Sequence, residues 1–157
     1  MKHIILQLTL ICLPAMAFAE SQIDRLASIS QAMNTSMFEM MIREAEAEGA
    51  DPEPLRATIP DGTWDENLRD AGQCMLDRMT DLSSASAVDN MLDEMEAALP
   101  RLAEMDMESM GEELDFLPDG ITDDMSIEIN SECGMVDLMM ERMEESGFMA
   151  AMMNAMN

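Results

Sequence analysis

Apolar residues recur at threes and fours along most of this chain, and no stretch alternates with period two long enough to make a strand. Ile23, Leu26, Met33, Met37, Met40, Met41 and Ala45 define the face of a first helix. Ser21 opens it with Asp24 three residues on, and Gly49 stops it. Ala50 to Gly62, with Pro52, Pro54 and Pro60, reads as a connector with room for one short turn of helix. A second helix follows from about Thr63, with Trp64, Leu68, Ala71, Met75, Met79 and Leu82 on one stripe and Cys74 beside it.

Ser83 to Ser86 is a polar break, after which Val88, Met91, Leu92, Met95 and Leu99 form a third stripe. Pro100 ends or kinks that helix. Beyond Leu102 the periodicity weakens, and Met105, Met107 and Met110 fit no single face. Thr122 caps a fourth helix with Asp123 and Asp124 in its first turn, where carboxylates oppose the positive end of the helix dipole. Its stripe is Met125, Ile129, Cys133, Val136, Met140 and Met143, and Gly147 closes it. Met149, Met152, Met153 and Met156 mark a short amphipathic C-terminal helix.

These elements predict an all-α fold of four main helices arranged as two αα-hairpins, plus the C-terminal helix. The two halves share an order of landmarks. Ser21-Gln22-Ile23-Asp24 is echoed by Ser86-Ala87-Val88-Asp89, and Pro60-Asp61-Gly62 by Pro118-Asp119-Gly120. A cysteine arrives 14 residues after the proline in the first half and 15 in the second. We expect one helical domain over 20–157, with an internal duplication over about 21–85 and 86–146.

The first 19 residues change the picture. Lys2 and His3, an apolar run from Ile4 to Leu13, and Ala17-Phe18-Ala19 fit a secretory signal peptide cleaved after Ala19. The run is about half of the roughly 20 residues that a membrane span needs. The expected mature chain is therefore soluble and periplasmic or secreted. In an oxidising compartment Cys74 and Cys133 form a disulfide. Free thiols acting as metal or redox centres would lack both a Cys-x-x-Cys spacing and a neighbouring histidine.

Charge and composition then exclude several functions. The chain holds 33 acidic residues against eight basic ones, for a net charge of −25. Nucleic acid and anionic membranes demand positive patches, so neither is an expected partner. Lys2 and His3 are the only lysine and histidine and there is no tyrosine, so the expected mature chain keeps only carboxylates for proton transfer. Serine would lack a base, and no phosphate-binding glycine loop occurs, so catalysis is not expected. An EF-hand fails around Gly120, because Leu117 and Ser126 fall where ligands belong.

Methionine carries what remains. There are 22 methionines, and aromatics make up 3% of the chain, so thioethers take much of the room that leucine and phenylalanine usually fill. Methionine surfaces repack around varied partners. With an acidic rim, such a surface suits a basic or amphipathic helical protein partner, and a second copy of this chain is a further candidate. The leading expectation is an interaction or chaperone-like binding role, with Met149, Met152, Met153 and Met156 as candidate contacts and no cofactor. The rival is a Cu(I)- or Ag(I)-binding protein using Met105, Met107 and Met110, since thioethers suit soft cations.

Overall fold

The computed structural model describes residues 20–102, 105 and 116–155, and within them every regular element is an α-helix. In chain order they are α1 (Gln22–Ala47), α2 (Pro52–Arg56), α3 (Glu66–Leu82), α4 (Ala85–Leu102), α5 (Asp123–Glu132), α6 (Met135–Glu145) and α7 (Phe148–Ala155). Residues 1–19, where the sequence leads us to expect a signal peptide, lie outside the described residues. Among those described, no helix is long and apolar enough to cross a membrane.

Helix ends follow their local chemistry. The Ser21 hydroxyl accepts from the Asp24 backbone N–H and so caps α1. At the other end Gly49, at φ 98°, adopts the left-handed conformation. Its N–H reaches the Glu46 carbonyl, and that of Ala50 reaches Ala45, which completes a Schellman turn. Asp51 and Asp65 cap α2 and α3 through their carboxylates, and Thr122 caps α5 through its hydroxyl. The α4 cap is Ser84, which accepts from Ala87 N–H, so Ser86 lies inside the helix and not at the capping position held by Ser21. α4 runs through Pro100 to Leu102, so the proline does not end the helix, and it removes only the one bond that an N–H there would give to the Glu96 carbonyl.

The fourth helix expected from the sequence is two helices. Gly134 takes φ 74°, ending α5 and starting α6. This left-handed residue resets the phase of the helix. Met135 is buried and Leu138 and Met139 pack inward, while Val136 and Met140 turn outward at 49% and 48% exposure. An uninterrupted stripe through Cys133, Val136 and Met140 is therefore not what the chain builds.

α1 is the central element and packs against α2, α3 and α4. Its buried arc is accordingly wider than one stripe and takes in Ile29, Phe38 and Ile42. Leu26 and Ile29 meet Leu76 and Met79 of α3, Val88, Met91 and Leu92 of α4, and Ile129 of α5 in the largest cluster. α5 and α6 lean on α3, and Leu68, Ala71 and Met135 form a second cluster there. The third lies at the far end of α1, where Phe38, Ile42 and Leu55 enclose Phe148 of α7. Cys74 and Cys133 are bonded, with Cα atoms 5.7 Å apart, and tie α3 to the α5–α6 junction.

Gly72 is where α3 takes the Trp64 ring. A Cβ there would strike Trp64 Cζ3 and come within 2.9 Å of Ile23 Cδ1. Alanine normally stabilises a helix by about 1 kcal/mol over glycine. Overpacking costs roughly 1–3 kcal/mol, so Gly72→Ala should be destabilising on balance, by about 1 kcal/mol. Urea denaturation checks this, and a stabilised variant would contradict the packing described.

Candidate functional site

Along its inner face α1 changes character. Leu26 and Ile29 serve the largest cluster and Phe38 and Ile42 serve the cluster around Phe148, while Met33, Met37 and Met40 come between. The i, i+4, i+7 spacing puts these three methionines on one side of the helix. They line a cavity of about 250 Å³ together with Met95 of α4 and Met139 of α6. A second cavity, of about 130 Å³, is lined by Met37, Phe38, Trp64, Leu68, Met139 and Met143. Both cavities share Asn34, Met37 and Met139 and so adjoin, and this methionine-lined pair, the groove, lies where the three core clusters meet.

The groove wall next to α3 is built by Arg142. Its Nη1 donates to the carbonyls of Asp61 at 3.1 Å and Thr63 at 2.7 Å, and its Nη2 pairs with Asp65 at 2.8 Å. One guanidinium thus fastens the Pro60–Asp65 loop to α6 and sets Trp64 against the smaller cavity. The Asp65 carboxyl lies below the usual carboxylate range, because it accepts from Leu68 N–H and then because Arg142 adjoins it. Asp61 is lowered chiefly by its bond from Thr63 N–H. The Trp64 indole N–H is buried and has no hydrogen-bond partner among the described residues.

The other arginines also bridge elements. Arg25 of α1 reaches Asp93 at 2.6 Å and Glu96 at 3.0 Å on α4, with Asp89 at 3.9 Å, and Glu96, followed by Asp93, holds it more firmly protonated than usual. Arg56 pairs with Glu39, Arg69 with Asp24 and Arg78 with Glu132, each joining two helices. Asp24 is lowered first by the Ser21 hydroxyl and then by Arg69. Arg43 donates to the Met105 carbonyl at 3.3 Å. With so few cations, this acidic chain uses most of them as ties between helices. Each such pair on an exposed surface contributes about 0–1 kcal/mol, so the effect on surface charge matters more than the stability.

The residues singled out in the sequence are dispersed. Met105 is half-buried beside the end of α4, and Met107 and Met110 lie outside the described residues. On α7 the methionines divide: Met152 packs into the Phe148 cluster, while Met149 and Met153 stand 42% and 61% exposed. Met156 lies outside the described residues. The inner face of α7 is Phe148, Ala151, Met152 and Ala155, and the helix folds over its own core. Among the described residues, no cluster of histidine, cysteine, aspartate or glutamate could hold a metal ion.

Sequence reasoning missed the groove for two reasons. The stripes put Met33, Met37, Met40 and Met95 on the inward faces of their helices without telling core from cavity, and the stripe of the fourth helix left Met139 out. The available signal was Gly134 directly after Cys133, which marks the change of phase. No protein-family model matches the chain, and no curated protein or solved structure matches it either.

Proposed function

We propose that this is an exported, non-enzymatic binding protein that takes the apolar face of a basic amphipathic helix of a partner protein into its methionine groove. The observation that carries the reading is the pair of adjoining, mostly apolar cavities that share Met37 and Met139. Each suits a side chain or two better than a large cofactor, since a cavity of roughly 150 Å³ accommodates benzene. Neighbouring side chains on a helix face, three or four residues apart, sit about 5–6 Å from one another. A helix offering two large apolar residues one turn apart therefore fits a double cavity. Methionine walls adapt to differing partners, which suits a chaperone-like role.

Electrostatics selects the sign of the partner. Most of the arginines tie helices together and no described carboxylate is buried, so the net charge of −25 favours a basic helix and speeds its approach. The same charge opposes nucleic acid. A secretory leader and the Cys74–Cys133 disulfide are compatible with an oxidising, exported setting.

Trp64 is the only tryptophan and lines the smaller cavity, so it reports on occupancy. Titrating in a tryptophan-free, Lys/Leu amphipathic peptide should give a saturable change in its emission. The apparent affinity should be about micromolar and should weaken with salt. No saturable change at low salt, or equal binding of a Glu/Leu peptide with the same apolar face, would sink the proposal.

A further inference from the structure

We infer that Met33, Met37, Met40, Met95 and Met139 form a thioether site for a soft monovalent cation, Cu(I) or Ag(I). All five line the one cavity of about 250 Å³, and they come from three helices: three from α1, one from α4 and one from α6. Methionines on three helices can bring sulfurs to an ion from several directions, which a row along one helix cannot. Thioether sulfur is a soft, neutral donor that favours Cu(I) over hard or borderline cations. The rest of the lining is two serines, Asn34 and Leu102, so no carboxylate in the cavity invites calcium, magnesium or zinc.

Met33, Met37, Met95 and Met139 are half-buried, so the cavity is reachable from solvent while its walls stay largely dry. Each methionine has three rotatable side-chain bonds, which lets the sulfurs turn inward without moving the helices. Binding involves no electron transfer. The two described cysteines are already joined, so the ion must arrive as Cu(I) or be supplied as Ag(I). The site does not require the helix-binding role, although ion and peptide would compete for the same groove.

The chemistry predicts an unusual signature. A thioether has no proton to lose, so affinity should hold from about pH 7 to about pH 5, where carboxylate association begins to weaken. Ag(I), added as nitrate in chloride-free buffer, should bind one ion per protein, tighter than micromolar by competition calorimetry. Raising sodium nitrate should weaken that affinity only a few-fold, because salt screens the overall negative charge and leaves the thioether bonds untouched. The triple variant Met37→Leu/Met95→Leu/Met139→Leu keeps side-chain volume and should weaken binding by about 100-fold or more. Its helical circular dichroism and melting curve establish that it folds, and Met149→Leu/Met153→Leu should bind like the parent. Affinity that is abolished by salt or by pH 5, survives in the triple variant, or never reaches micromolar would overturn the inference. Because the peptide titration is read through Trp64 without metal, either result can fail while the other stands.

Discussion

Replacing both bonded cysteines, Cys74→Ser/Cys133→Ser, should lower the unfolding free energy by about 4 kcal/mol, the chain-entropy figure for a loop of about 60 residues. The bond spans a separation of 59 residues and fastens α3 to the point where α5 gives way to α6. It is thus the covalent tie between α3 and the helices that lean on it. The double variant is preferable to Cys74→Ser alone, which would leave a thiol free to crosslink two copies. Urea denaturation at constant m-value reads the change. Because α6 also supplies Met139 and Arg142 to the groove, the same variant should bind the basic peptide more weakly. A loss under about 1 kcal/mol would mean that packing alone holds α5 and α6 in place.

Phe148→Ala should be comparably severe, at about 3–5 kcal/mol, typical of truncating a buried phenylalanine. Phe148 is 1% exposed and meets the Phe38 ring edge-on, with centroids 4.8 Å apart and planes at 73°. Edge-to-face pairs add about 0.5–1.5 kcal/mol to simple burial. Ile42 and Leu55, both fully buried, complete the pocket that receives the ring. The alternative is that α7 opens locally without the rest of the protein, as terminal helices can. Then the global unfolding curve would scarcely move, and amide exchange in α7 alone would accelerate. A global loss below about 1 kcal/mol would count against α7 as part of the cooperative core.

The helices and the disulfide could be read from the sequence because their determinants are local. Ser21, Asp24 and Gly49 bound α1, Thr122 caps α5, and the periodic spacing selects Leu68, Ala71, Met79, Val88 and Leu92 for burial. Oxidising chemistry pairs Cys74 with Cys133 without any geometry. Several features needed three dimensions. A glycine within a helix costs only about 1 kcal/mol, so the Met125–Met143 stripe reads straight through Gly134 until the left-handed turn is seen. Phe38 and Ile42 escaped the α1 stripe because that helix is enclosed on several sides. The groove escaped for a related reason: whether a methionine fills a core or lines a cavity depends on partners far away in sequence. Met33, Met95 and Met139 become neighbours of one space only after α1, α4 and α6 assemble.

The shared landmarks of the two halves fare unevenly in three dimensions. Both Pro-Asp-Gly turns lead to a capped helix, through Asp65 and Thr122, and both cysteines reach the same bond. The helix openings differ, since Ser21 caps α1 whereas Ser84, not Ser86, caps α4. The stretch from Pro118 to Met143 therefore combines two roles: α5 and Cys133 anchor the fold, and α6 brings Met139, Arg142 and Met143 to the groove.

The central claim is that the groove between α1, α4 and α6 is the binding surface. Methionine methyl groups labelled with carbon-13 test it most directly, since they can be followed one by one as the basic amphipathic peptide is added. Resonances of Met33, Met37, Met95, Met139 and Met143 should shift together and saturate in step with Trp64 emission, while Met149 and Met153 should stay in place. Shifts confined to Met149 and Met153, or to the outward Met140, with the groove methionines unmoved would contradict the account.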